Sequence, residues 1–110
     1  MNNMKALEEL YKVVEDRRFN AIEGSYTNYL FEKGLDKILK KLGEECSEII
    51  IASKNGIKED TISEISDFLY HMVVLISNEG ITLEDISTEL EKRSLKVGNK
   101  KQEKNLEGIK

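Results

Sequence analysis

Five acidic residues stand in two clusters, and their spacing suits a pair of helices better than any other local structure. Glu44, Glu45 and Glu48 lie in the run Gly-Glu-Glu-Cys-Ser-Glu, Glu64 and Asp67 in Glu-Ile-Ser-Asp-Phe, with residues 49–63 between them. On a helix, acids at i, i+1 and i+4 share one side, as do acids at i and i+3. Two such helices packed together set five negative charges across a gap, which is costly unless cations stand between them. The spacing is therefore that of a divalent-metal site. The competing reading is a solvated acidic face. Against it, Ile51 and Ala52 fall on the same side as the first cluster.

A chain of 110 residues builds one small domain. With 39% hydrophobic residues, no Pro and no Trp, it suits an all-α bundle better than a sandwich or barrel with many turns. Setting the five clustered acids aside from the 21 acidic residues leaves 16 against 17 basic ones and moves the formal charge from −4 to +1. The acidity is thus concentrated at the proposed site, and no basic surface argues for nucleic acid. The single cysteine, Cys46, cannot form an internal disulfide, and the first ten residues hold no apolar signal run. A cytoplasmic protein without a membrane segment is expected.

Helical signals run along most of the chain. Residues 4–18 place Leu7, Leu10, Tyr11 and Val14 at helical spacing, before a polar break at Gly24. A short helix starts at Ser25, a capping residue, and stops at Gly34. From Leu35 a long helix carries Ile38, Leu39, Leu42, Cys46, Ile49, Ile50 and Ser53 on one face and the first acidic cluster on the other, ending near Asn55 and Gly56. Another runs from about Glu59 to Asn78 and ends at Gly80. The last begins at Thr82, where Thr-Leu-Glu-Asp reads as a capping-box start. Four main helices plus a short one make up a domain over 1–96, and the polar residues 97–110 form a disordered tail.

The stretch Ile-Ser-Asp-Phe-Leu-Tyr-His-Met-Val-Val-Leu-Ile, residues 65–76, is apolar on nearly every side, so its helix is expected to be buried against more than one neighbour. One layer of helices would leave such a segment exposed, which predicts a dimer with a shared helical core. Asp67 lies inside that run. Burying it unpaired would cost several kcal/mol, so it needs a metal, a lysine or His71, its i+4 neighbour. An all-carboxylate set suits Mg²⁺ or Mn²⁺, whereas zinc would recruit Cys or His. A ferritin-like iron site needs paired Glu-x-x-His motifs, and His71 is the only histidine. A Walker loop is absent, so the chemistry expected is metal-assisted attack on a phosphoanhydride outside the P-loop class. His71 and Tyr70, on a buried helix, read as satisfied core residues. Cys46, turned toward the apolar face, reads as a small packed hydrophobe.

The pattern Glu-Glu-x-x-Glu, spacer, Glu-x-x-Asp resembles the signature of the MazG-like all-alpha nucleotide pyrophosphohydrolases, matched by Glu44, Glu45, Glu48, Glu64 and Asp67. Within that superfamily, Ser-Tyr-Thr at 25–27, Lys-Leu-Gly-Glu-Glu at 41–45 and Asp-Phe-Leu-Tyr-His at 67–71 are similar to the phosphoribosyl-ATP pyrophosphohydrolases over roughly residues 5–95. The chain departs from the family's usual runs only conservatively, and keeps every acid; Ile22 stands where a proline often precedes the Glu-Gly-Ser-Tyr-Thr run. The resemblance implies cleavage of phosphoribosyl-ATP between its α and β phosphorus atoms, the second step of histidine biosynthesis. It implies that the five acids hold Mg²⁺, with one glutamate acting on the water, and that the protein is a homodimer whose pocket draws on both chains. The fused cyclohydrolase found in some relatives is expected to be absent, since no zinc-binding Cys or His set accompanies the domain.

Substrate contacts then suggest themselves. Lys37 and Lys41 lie on the acidic side of the long helix and can meet phosphate oxygens, or form i+4 ion pairs such as Lys41 with Glu45. Ser25, Tyr26 and Thr27 offer hydroxyls and N–H groups at a helix start, although Ser25 also reads as a plain cap. Arg93 can reach the ribosyl phosphate or pair with Glu89 or Glu91. Three functions stay open: this pyrophosphohydrolase, a related house-cleaning enzyme acting on canonical or damaged nucleoside triphosphates, and a non-catalytic helical dimerisation module.

Overall fold

Five helices and no strand occur among residues 5–97, the part that the computed structural model describes, with side chains over 5–94. They are α1 (Lys5–Phe19), α2 (Tyr26–Lys33), α3 (Leu35–Asn55), α4 (Lys58–Asn78) and α5 (Leu83–Val97). The all-α expectation holds, with four long helices and one short one. The tail expected over 97–110 falls, from residue 98 on, outside the described residues.

Local chemistry sets each boundary. The Ser25 side chain accepts a hydrogen bond from the Asn28 backbone N–H and so caps α2. Gly34, at φ 91° and ψ −172°, ends α2 and starts α3 with no intervening residue, a backbone conformation essentially restricted to glycine. Gly56 closes α3 in the left-handed conformation, its N–H reaching the Ala52 and Ser53 carbonyls. At α5, Thr82 and Asp85 cap each other reciprocally, at 3.0 and 2.9 Å.

The chain forms two units, one ending at Gly80 and one beginning at Ile81. In the first, Val14 of α1, Leu30 of α2, Ile38 of α3 and Val73 and Val74 of α4 make a buried core, with Leu7, Leu10, Tyr11, Phe31, Tyr70 and Leu75 packed around it. Each such buried aliphatic side chain contributes roughly 1.5–3 kcal/mol. A polar clasp fastens α1 to α4: the buried Ser77 hydroxyl donates to the Glu15 carboxylate, and Arg18 donates to the Ser77 carbonyl. The second unit holds α5. No described helix is long and apolar enough to cross a membrane.

Two packing expectations are not met within the single chain. Burial along α4 is confined to its C-terminal half, at His71, Val73, Val74, Ile76 and Ser77. Ile62, Ile65 and Leu69 are 53, 41 and 41% exposed. The hydrogen bonds described from α1 and α2 to α4 fall at Tyr70, His71 and Ser77, in its C-terminal half. Cys46 is likewise exposed rather than packed, as are Leu39 and Ile50 on the same face of α3.

Candidate metal and nucleotide site

The α3–α4 hairpin brings the two acidic clusters together. Glu45, Glu64 and Asp67 each place a carboxylate oxygen within 4.8 Å of the others. Oxygens opposite each other around a Mg²⁺ ion lie about 4.2 Å apart, so three hard donors this close fit such an ion with little adjustment. The other two acids stand outside this triad. Glu44 pairs with Lys41 at 3.5 Å, one turn along α3. Glu48 lies close enough to Glu64 to act on its ionisation.

The charges resist one another. The Glu64 carboxyl is held above its ordinary value of 4.5 by partial desolvation, and then by the negative charges of Glu48, Asp67, Glu45 and Asp60. Each of these disfavours the ionised form. Asp67 departs from expectation, because it is exposed rather than enclosed in an apolar helix. Burial therefore does not force a partner on it. His71 is not its ion-pair partner either: the imidazole Nδ1 donates to the Asp67 backbone carbonyl at 2.8 Å.

That bond fixes the histidine's role. With Nδ1 as donor, Nε2 is left to accept from the Tyr26 hydroxyl at 3.1 Å, and the ring is 5% exposed. His71 is a satisfied core residue that ties the start of α2 to the turn of α4 bearing Asp67. Thr27, also buried, shares a hydrogen bond with the Tyr70 hydroxyl. Burial raises the Tyr70 phenol above its ordinary value of 10.0, which the Thr27 bond partly opposes and the Tyr26 phenol slightly reinforces. All three hydroxyls of the Ser-Tyr-Thr run are thus engaged within the fold.

The lysines sit between these groups. Lys41 is held above its ordinary value of 10.5 chiefly by the Tyr26 phenol, and also by Glu44 and Glu45, against partial desolvation. Its ion pair is with Glu44, not with Glu45. Lys37 stands over the Tyr29 ring, 5.9 Å from its centre. On α5, Arg93 is bound to Glu89 at 3.0 Å, the ion pair weighed against a phosphate role. Tyr29 and Phe31 escaped the sequence reading, though Tyr26 and Tyr29 at i, i+3 signalled a shared helix face. A cleft of about 990 Å³ opens beside α2, lined by Ser25 and Tyr26 among others and by none of the five acids.

Residues 7–94 match the family model for phosphoribosyl-ATP pyrophosphohydrolase. The chain is 61% identical over 104 residues to the phosphoribosyl-ATP pyrophosphatase of Clostridium acetobutylicum and 59% identical to that of Clostridium novyi, with 94% of each chain covered in both cases. It is also 53% identical over 92 residues to the histidine biosynthesis bifunctional protein HisIE of Caldanaerobacter subterraneus, spanning 84% of this chain and 45% of that one. With the acidic hairpin inside the matched region, the chain belongs to the phosphoribosyl-ATP pyrophosphohydrolase family.

Proposed function

We propose that the chain hydrolyses phosphoribosyl-ATP to phosphoribosyl-AMP and pyrophosphate, the second step of histidine biosynthesis. The observation that carries this reading is the triad of Glu45, Glu64 and Asp67 on one hairpin, within a chain 61% identical to a protein named for that reaction. The triad would hold Mg²⁺, or Mn²⁺, with Glu44 and Glu48 alongside. Such an ion, when bound, polarises phosphoryl oxygens and neutralises charge on the departing pyrophosphate.

The protein's own groups do the rest. Glu48 orients the attacking water and takes its proton, since Glu44 is already engaged by Lys41. Lys41 and Lys37 meet phosphate oxygens, and the first-turn N–H groups of Tyr26 and Thr27 add donors at the start of α2, a turn shaped by Ser25. Arg93 would leave Glu89 to meet the ribosyl phosphate. We further propose a cytoplasmic homodimer, supported by the exposed isoleucines of α3 and α4.

Pyrophosphate release from pure protein with Mg²⁺ and either phosphoribosyl-ATP or a panel of deoxynucleoside triphosphates tests this. Release from phosphoribosyl-ATP is expected. Release from the deoxynucleotides alone would point to a house-cleaning enzyme, and none at all to a non-catalytic module.

A further inference from the structure

The cleft beside α2 joins aromatic faces to carboxylates, a chemistry that suits a cationic ring. Ile22, Glu23, Tyr26, Tyr29, Phe31 and Glu32 line it, together with small and neutral residues. Three aromatic rings and two carboxylates stand among the described lining residues, and no Lys or Arg does. The Tyr26 and Tyr29 rings stack with centres 5.9 Å apart and planes 23° from parallel. Lys33 and Lys37 stand 5.8 and 5.9 Å from the Tyr29 ring centre, so that ring already draws positive charge. Asn28 fixes the wall, accepting from the Ile22 N–H at 2.8 Å and donating to the Arg17 carbonyl.

Tyr26 joins this cleft to the acids. Its hydroxyl is bonded to His71, one turn beyond Asp67, and its phenol acts on Lys41, one turn before Glu45. Lys37, beside Tyr29, lies a further turn along α3, about 12 Å from Glu45 along the helix axis. A nucleotide whose phosphates meet the triad can therefore reach Tyr29 with its base.

Phosphoribosyl-ATP differs from ATP in bearing a second sugar on a ring nitrogen of its adenine. Substitution there makes the amidine a much stronger base, so the ring carries positive charge near neutral pH where the ATP base is neutral. We propose that the cleft is a specificity subsite for a cationic, ring-alkylated purine, with Tyr26 and Tyr29 facing the ring and Glu23 and Glu32 as its counter-charges. This deepens the phosphoribosyl-ATP reading and rests on it for the substrate's identity. Both carboxylates are exposed and screened by solvent, so the ring faces supply most of the affinity.

The probe pair is 1-methyladenosine, cationic near neutral pH, and adenosine, titrated into the full chain and followed by calorimetry and by NMR shifts. The methylated nucleoside is expected to bind about tenfold more tightly, the scale of a cation–π contact. Tyr29→Leu abolishes that preference, Tyr29→Phe keeps it, and Glu32→Gln reduces it. In turnover, Tyr29→Leu raises KM for phosphoribosyl-ATP by about tenfold, and Tyr29→Phe restores it. Equal binding of the two nucleosides, binding of neither, or an unchanged KM in Tyr29→Leu overturns the subsite while leaving normal hydrolysis, and the proposed function, intact. Preferential binding of 1-methyladenosine by a protein that does not cleave phosphoribosyl-ATP upholds the cleft's chemistry and sinks the proposed function instead.

Discussion

Glu64 is where the cost of the site is concentrated. Its carboxyl is raised above 4.5 by partial desolvation and by four neighbouring acids, so the folded chain holds its proton more tightly than the unfolded chain does. A raised carboxyl favours the fold at acid pH, and that contribution is lost as pH rises through the folded-state value. Metal-free protein should therefore lose part of its stability on going from below pH 4.5 toward neutrality. Glu64→Gln removes this dependence, and its metal-free melting temperature at neutral pH should equal or exceed that of the parent. Added Mg²⁺ should raise the parent's melting temperature and barely move the variant's. Thermal scans across pH, with and without Mg²⁺, check both points; a variant that melts clearly lower without metal would show that the carboxylate is structural. The triad's membership shows what sequence conveyed at this scale. Spacing alone put five acids on facing helices, but it could not tell that Glu44 turns to Lys41 or that Asp67 is exposed, because those depend on neighbours a helical wheel does not contain.

At the level of elements, boundaries were legible because they rest on single residues with strong local preferences: Ser25, Gly34, Gly56 and the Thr82–Asp85 pair. Burial was less legible. The run at 65–76 is apolar on nearly every side, yet the buried residues of α4 begin only at His71, and no periodicity within α4 reports where its neighbours stop. Gly34 ties boundary to function. It is the single residue joining α2 to α3, and thus sets how Tyr26, Thr27 and Tyr29 are presented beside Lys37 and Lys41. No atom within 4 Å would meet a Cβ there, so a side chain fits sterically and only the backbone conformation objects. Gly34→Ala should then cost about 1–3 kcal/mol of stability. If the chain relieves the strain by shifting α2, KM should rise more than kcat falls. Denaturant melts and steady-state kinetics on the same preparation separate the two effects, and a melt unchanged from the parent would mean that the turn relaxes freely.

For the whole molecule, the unspent apolar surface decides the matter. Ile50, Ile51, Ile57, Ile62 and Ile65, on the α3–α4 hairpin and its turn, are between 41 and 60% exposed. Exposed isoleucines on one hairpin are what the proposed homodimer would cover. Two-fold symmetry would use each isoleucine twice, once from each copy. Burying an isoleucine side chain contributes roughly 1.5–3 kcal/mol when complete, and these side chains are already partly covered, so each contributes less than that. Replacing Ile51 and Ile62 by Asp removes four such contributions per dimer and sets four charges in an apolar contact. The loss should still reach several kcal/mol, against the roughly 12 kcal/mol that separates a nanomolar dimer from free copies. Sedimentation of the double variant should therefore show monomer at micromolar concentrations where the parent shows dimer. Helical content should stay close to the parent's, because neither residue belongs to the core of Val14, Leu30, Ile38, Val73 and Val74. If the pocket draws on both copies, turnover should fall with the dimer fraction and recover at high protein concentration. A parent chain that sediments as a monomer at the same concentration would leave the apolar face without this explanation.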